Sequence, residues 1–123
     1  MPAAREEWER CRPWIEAALK YSGGSHTIED VRDAVEAGRA LLLAGRQSAM
    51  VCEVQTYPQL KSFHVWLAGG DLAEIRSSQP KLEDYARRLG CRRISIAGRR
   101  GWVRAIEDLG YREKFTTIIK EIS

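Results

Sequence analysis

The sequence contains no long apolar run, only two histidines and an odd number of cysteines. No stretch approaches the roughly 20 apolar residues that cross a bilayer, and the N-terminus turns acidic at Glu6 and Glu7, where a signal peptide would become apolar. The three cysteines lie within ordinary helix or strand patterns, so they predict buried, reduced thiols and no disulfide framework. We therefore expect neither secretion nor membrane insertion.

Charge of one sign is not in large excess, since the net charge is +3. An excess of this size does not by itself predict a nucleic-acid-binding protein, although the arginines cluster in the second half of the chain. The clustered residues are Arg87, Arg88, Arg92, Arg93, Arg99, Arg100, Arg104 and Arg112. The cluster is either a solvated face or an anion or nucleic-acid site. The histidines His26 and His64 have no partners at metal-ligand spacing, so we predict no metal site.

The composition is typical of one soluble globular domain. The chain has 123 residues, of which 44% are hydrophobic and 30% charged, enough to fill a single core. We therefore treat residues 1–123 as one domain.

The first half of the chain predicts two helices and a hairpin. In the first helix, apolar residues at helical spacing surround Pro13, which predicts a kink or a restart. Thr27 is the predicted N-cap of the second helix, and Gly38 is its predicted C-terminal stop. The hairpin has strands over residues 40–44 and 48–55.

The second half predicts a β-α-β unit followed by a helix and a strand. The first strand of the unit is expected to be central, because it carries large side chains on both faces. A long helix kinked at Pro80 leads to a strand over 93–97, and the crossover makes the two strands parallel. A helix ended by Gly110 and a last strand over 111–122 follow. In the central strand, the alternating residues are Phe63, Val65 and Leu67 on one face and His64 and Trp66 on the other.

These elements predict an α/β (α+β) fold with a mixed, mostly antiparallel sheet and helices on both faces. Residues 82–96 resemble the cofactor-side helix and following strand of the GNAT superfamily of acyl-CoA N-acyltransferases. Residues 99–111, ending in Leu109-Gly110-Tyr111, resemble its second conserved segment, where Leu-Gly-Phe is usual. The resemblance covers nearly the whole chain and implies a GNAT-like fold whose first strand is missing. The shortened form most resembles small GNAT-like proteins of tailed phages, some of them internal virion components.

The resemblance implies a coenzyme A site after the central strand. In the family, a loop written Arg/Gln-x-x-Gly-x-Gly/Ala offers backbone N–H groups to the pyrophosphate. The candidate cofactor-binding residues here are Leu67, Gly69, Gly70, Asp71, Leu72, Arg99 and Arg100. The family's Arg or Gln is absent, and Asp71 places a carboxylate where phosphates would bind. The competing interpretation is that Gly69 and Gly70 form a turn and that Asp71 caps the next helix.

The resemblance also places the family's tyrosine general acid at Ile106, which cannot donate a proton. Core packing explains this isoleucine equally well. His64 on the central strand and Glu53 on its neighbour are candidate bases, and Tyr111 is the candidate alternative acid. A strand histidine such as His64 also has a common structural role as a hydrogen-bonded residue.

Two functional hypotheses follow. The first is a degenerate, non-catalytic GNAT-fold protein of phage or prophage type, a binding or virion-assembly component that uses no cofactor and resides in the virion or the host cytoplasm. Its expected partners are other virion subunits, contacted through exposed tryptophans such as Trp8 and Trp14 and through the arginines. The alternative interpretation is that all four tryptophans of the chain belong to the core. The second is an acetyl-CoA-dependent N-acetyltransferase acting on an amine. Nucleic-acid binding by the arginine face is a third, weaker alternative.

Overall fold

A computed structural model describes residues 2–97 and 100–122 of the chain. The first elements are α1 (Pro2–Leu19), α2 (Ile28–Glu36), β1 (Leu41–Ala44), β2 (Ser48–Thr56) and β3 (Lys61–Gly70). The later elements are α3 (Leu72–Ser77), α4 (Gln79–Arg88), β4 (Arg93–Ile96), α5 (Arg100–Ile106) and a 3-10 turn, Glu107–Leu109. None of the helices in the described ranges is both long and apolar enough to cross a membrane.

Helix α1 is continuous through Pro13, so the predicted restart is wrong, and the predicted kink stays a prediction. Pro13 is exposed, and the backbone donor that it lacks therefore falls on the solvent side of the helix. On the other side, Trp8, Cys11 and Ile15 are buried in one core and hold the helix against the sheet on both sides of the proline. Packing outweighs the local cost of the missing hydrogen bond.

Helix α2 begins and ends as the sequence predicts. Thr27 Oγ1 accepts the N–H of Asp30 at 3.2 Å, and the Asp30 carboxylate accepts the N–H of Thr27 at 2.8 Å. This reciprocal pair is a capping box, and its hydrogen bonds from Thr27 lower the pKa of Asp30. Gly38 follows the helix with φ of +77°, a conformation that favours glycine.

The sheet has the strand order β1-β2-β3-β4. The first two pairings are antiparallel and the third, between β3 and β4, is parallel, which confirms the mixed, mostly antiparallel sheet and the predicted crossover. No described residue before Leu41 forms a strand, so β1 is an edge strand.

Two cores lie on opposite faces of the sheet, one beneath α1 and α2 and the other beneath α3 and α4. Between the pairs Cys52↔Val65 and Val51↔Leu67 the register of β2 and β3 shifts, which leaves Trp66 as an extra residue in β3. Val65 therefore lies in the α3–α4 core and Leu67 in the α1–α2 core. The expectation that Phe63, Val65 and Leu67 share one face is wrong for Leu67, because the bulge reverses the alternation.

The predicted long helix is two helices that meet at Ser78, which ends α3 and begins α4. Pro80 lies in the first turn of α4, where a missing N–H costs nothing because it would have no partner within the helix. Pro80 thus starts a helix instead of kinking one.

The strand predicted over 111–122 is also wrong, since these residues form no strand in the structure. Strand preference in a sequence reflects fit to a neighbouring strand, and no neighbour pairs with this segment here. Its large apolar side chains Phe115, Ile118, Ile119 and Ile122 are exposed.

Candidate functional site

The loop expected to hold coenzyme phosphates joins β3 to α3. Gly70 has φ of +101°, and a Cβ there would meet the carbonyl oxygen of Gln47 and lie 2.6 Å from the Cα of Ser48. A Cβ on Gly69 would meet the carbonyl oxygen of Trp14 in α1. The small size of both glycines thus lets β3 pack against α1 and against the β1–β2 turn. The chain itself occupies the space that their missing side chains leave.

Asp71 caps α3, as the competing interpretation of this loop predicts. Its Oδ1 accepts the N–H of Ala73 at 3.2 Å, and its own N–H donates to the carbonyl oxygen of Gln47 at 2.8 Å. The helix that begins at Leu72 is only six residues long. The carboxylate therefore already fills a position in which an anion would accept hydrogen bonds from the helix terminus.

A second carboxylate, that of Glu74, lies beside the same loop. Its oxygens accept the N–H of Gln47 at 3.0 and 3.2 Å and also the hydroxyl of Ser48. The hydrogen bonds from Ser48 and then Gln47 hold the pKa of Glu74 below its usual range, and the charge of Arg10 adds to this effect. Arg10 also donates to the carbonyl oxygen of Arg46 at 3.0 Å. The β1–β2 turn is thereby fastened to α3 through Glu74 and to α1 through Arg10.

The remaining candidate cofactor residues do not all join this loop. The side chain of Leu67 is buried in the α1–α2 core, so only its backbone could face a ligand. Arg99 lies outside the described residues, and for Arg100 only the backbone, at the start of α5, is described. The structure brings Gly69 to Leu72 together and leaves the side chain of Leu67 apart from them.

Strand β4 pairs with only the first part of β3. Their last pair is Val65↔Ile96, whereas β3 continues to Gly70. Among the described residues, the side of β3 that faces β4 therefore has no strand partner from Trp66 to Gly70. Unpaired N–H and C=O groups of this kind can bind a ligand or another strand.

A polar row crosses the sheet just before this gap. It consists of Glu53 in β2, His64 and Ser62 in β3, and Ser95 in β4. Glu53 pairs with His64, and His64 pairs with Ser95. His64 Nδ1 lies 2.8 Å from Ser95 Oγ, which lies 2.8 Å from Ser62 Oγ. Val65, next to His64, points into the α3–α4 core, so the row lies on the face where α1 and α2 pack.

The surroundings of His64 favour its neutral form. Burial lowers the pKa of His64, and the nearby charge of Glu53 opposes this shift. In the part of the chain that the structure describes, the ring makes a hydrogen bond only through Nδ1. In the tautomer whose Nδ1 donates to Ser95 Oγ, the unprotonated Nε2 can accept a proton, which is the property required of a general base.

Tyr111 lies on the opposite face of the sheet from the polar row. Its hydroxyl donates to Gln79 Oε1 at 2.6 Å, and burial raises the pKa of Tyr111 to about 12. The three acid–base candidates are therefore not assembled into one site, because only Glu53 and His64 are neighbours. Ile106 is 3% exposed, and its interpretation as a packing residue is confirmed.

The four tryptophans match the interpretation that they belong to the core. Trp8 is buried, and Trp14, Trp66 and Trp102 are half-buried, because all four pack against the two cores. Two arginines of the cluster, Arg87 and Arg88, form ion pairs with Glu83 and Asp84 on the exposed face of α4. Those ion pairs match the interpretation of the arginine cluster as a solvated face. An anion or nucleic-acid site formed by the other arginines stays a prediction.

Sequence reasoning missed Ser62, Ser95 and Glu74. Ser62 and His64 are two apart in one strand, so they share a face, but the β3–β4 register that adds Ser95 depends on a non-local pairing. Glu74 acts on the β1–β2 turn, far from it in sequence. Of these three residues, only Ser62 could have been placed beside His64 from the sequence pattern.

Several solved structures are similar to this chain over most of its length. A probable acetyltransferase has a TM-score of 0.65 and 11% identity, covering 89% of this chain and 87% of its own. A Trypanosoma brucei acetyltransferase has a TM-score of 0.58 and 11% identity, covering 77% and 78%. The fold of this chain is GNAT-like. Glucosamine-6-phosphate N-acetyltransferase from Arabidopsis thaliana, with a TM-score of 0.55 and 15% identity, shares this GNAT-like fold over 81% of this chain and 82% of its own.

No family model and no curated protein matches the sequence. The GNAT fold implies acetyl-CoA as a ligand. The residues of the β3–α3 loop would have to hold its pyrophosphate. They do not fit, because the glycines of the loop pack against the chain itself and Asp71 and Glu74 place two carboxylates beside it. A diphosphate in this loop would be repelled by these two negative charges.

Proposed function

We propose that this GNAT-fold chain does not bind coenzyme A and acts as a non-catalytic binding or assembly component. The observation that carries the proposal is the structure of the β3–α3 loop. Asp71 caps the helix that follows it, and the backbone of Gln47 and Trp14 packs closely against its two glycines. Ile106 at the family's acid position supports the same conclusion, since its side chain has no proton to donate. The resemblance to small phage-encoded proteins suggests a place among the subunits of a phage particle.

Calorimetry with acetyl-CoA tests the proposal. We expect no binding at micromolar ligand by the wild type or by Asp71→Asn. Asparagine caps a helix about as well as aspartate, so this variant removes the charge and keeps the cap. The loop should stay closed in both proteins, because the packing of Gly69 and Gly70 is unchanged. Micromolar affinity in the wild type would overturn the proposal, and binding only by Asp71→Asn would show that the charge alone excludes the ligand.

The polar row favours a second candidate, acetylation of an amine. His64 would accept a proton from the substrate amine, and Glu53 would stabilise the resulting imidazolium. The test is release of the coenzyme A thiol from acetyl-CoA over a panel of amines, comparing wild type, His64→Gln and Tyr111→Phe. We expect no turnover in any of them. Turnover that His64→Gln abolishes and Tyr111→Phe retains would establish the enzyme instead, because Tyr111 lies on the other face of the sheet.

A further inference from the structure

A deep groove runs along the free edge of β1. Its volume is about 1370 Å³. Trp8 and Val35 line it on the side of α1 and α2, and Leu82 and Tyr85 line it on the side of α4. Helices α1 and α2 therefore line one side of the groove and α4 lines the other. The space between them lies next to β1, where a further strand of the sheet would lie. A strand placed there would meet these apolar side chains on its two faces, together with charged side chains of α1, α2 and α4.

The backbone of β1 offers hydrogen bonds to such a strand. The N–H of Gly45 donates to the carbonyl oxygen of Ser48 at 2.8 Å. This hydrogen bond determines which residues of β1 direct their backbone groups toward β2. Because inward and outward groups alternate in an antiparallel pair, Leu43 bonds toward β2. Leu42 and Ala44 therefore point their N–H and C=O groups into the groove. An edge of this kind is a template for strand addition.

The C-terminal segment, residues 112–122, has the properties that the groove requires. The side chains of Phe115, Ile118, Ile119 and Ile122 are between 71% and 91% exposed. In an extended strand, Phe115 and Ile119 would lie on one face and Ile118 and Ile122 on the other. Large apolar residues on both faces are typical of a strand that is covered on both sides. The segment forms no strand in the isolated chain, although its sequence is rich in β-branched residues.

We infer that the groove along β1 receives the C-terminal segment of a second copy of this chain, and that two copies exchange these segments reciprocally. The segment leaves its own domain at Tyr111, beside Arg93 and Ile94 of β4. That is the opposite edge of the sheet from β1, on the far side of α4. A two-fold axis can bring the segment of one copy to β1 of the other and makes the contact self-complementary.

The inferred interface has the size of a stable one. Stable dimers bury about 800 Å² per partner, from roughly 20 to 30 residues a side. Reciprocal exchange places one segment and one groove from each copy in the contact, which supplies that number of residues. The inference does not depend on whether coenzyme A binds.

Sedimentation of the full chain over a range of concentrations tests the groove. We expect the wild type to dimerise and Ala44→Pro to raise the dimer dissociation constant at least tenfold. Proline removes an outward N–H that the ladder with β2 does not use, and Ala44 is exposed, so little packing is lost. Ala44→Ser, which keeps the N–H, is the matched control and should dimerise like the wild type.

Substitutions in the segment itself test the occupant. Ile119→Asp should weaken the dimer at least tenfold, whereas Thr116→Asp, a change of the same charge at a polar position, should have a smaller effect. Because both side chains are exposed in the isolated chain, neither change should affect folding, and circular dichroism checks this.

Three results would overturn the inference. One is a wild type that stays monomeric at every concentration. Another is a dimer that Ala44→Pro and Ile119→Asp both leave unchanged, which would place the interface elsewhere. The third is a monomer whose segment is protected from hydrogen exchange in the wild type and loses that protection in Ala44→Pro, because the segment would then occupy its own groove.

Discussion

Single side chains decide which chemistry the GNAT fold of this chain can support. Asp71 uses its carboxylate to cap α3, so the helix terminus is stabilised without a bound anion. Ile106 fills a buried position at which the resemblance to the family places a proton donor. In both places the residue stabilises the folded domain, and under the proposed function it stands where the family has a residue or loop used in catalysis.

Ile106→Tyr separates packing from catalysis at that position. A tyrosine there should crowd the core and lower the free energy of unfolding by about 1–3 kcal/mol. No release of coenzyme A thiol should appear, because the β3–α3 loop is unchanged. Urea denaturation and the thiol assay measure the two effects. Ile106→Val, a smaller change costing about 0.5–1.5 kcal/mol, is the control for loss of packing.

At the scale of elements, a few polar contacts hold the short helices in place. Glu74 of α3 fastens the β1–β2 turn. Arg76 of the same helix donates to both carboxylate oxygens of Asp108 at 2.8 and 2.7 Å and to the carbonyl oxygen of Ala105 at 2.5 Å, which joins α3 to the end of α5. Helices of six or seven residues are not stable alone, so these contacts and the core define their positions.

Replacing Glu74 by glutamine should change the pH dependence of stability. The pKa of Glu74 is lowered in the folded chain, so its contribution is present above the unfolded pKa and is lost as the pH falls through the folded value. Thermal melts from pH 6 to pH 3 should therefore show a smaller fall in midpoint for Glu74→Gln than for wild type. Asp30 and Asp108, whose pKa values are also lowered, keep part of the slope in both proteins. Equal slopes would contradict this role.

At the scale of the whole molecule, β3 connects the two cores. Phe63 and Val65 lie in one core and Leu67 in the other, and the strand pairs with neighbours on both sides. The stability of the domain therefore depends on this strand more than on any edge. Burial on both faces is the arrangement expected of a central strand.

A matched pair of substitutions tests this dependence. Val65→Ala removes buried methyl groups and should lower the free energy of unfolding by about 1–3 kcal/mol. Val54→Ala makes the same chemical change on β2 at a side chain that is 38% exposed, and it should cost about 0.5 kcal/mol or less. Urea denaturation of both variants gives the comparison. Similar losses in the two would contradict a central role for Val65.

The sequence by itself determined the features that depend on neighbouring residues. The capping box at Thr27, the helix stop at Gly38 and the cap at Asp71 are formed by residues only a few positions apart. The order of the elements as far as α5, apart from the division of the long helix into α3 and α4, followed from local periodicity. So did the parallel crossover of β3 and β4, because a β-α-β unit has a strongly preferred hand and direction. The burial of Ile106 was predictable from its helical spacing.

Only the tertiary structure decided the features that depend on distant partners. Pro13 does not break α1 because the core holds the helix on both sides of it, and the bulge at Trp66 changes which core Leu67 enters. The polar row needs the register of three strands. The C-terminal segment has the composition of a strand, but a strand forms only where another pairs with it, and the isolated chain provides no such pairing.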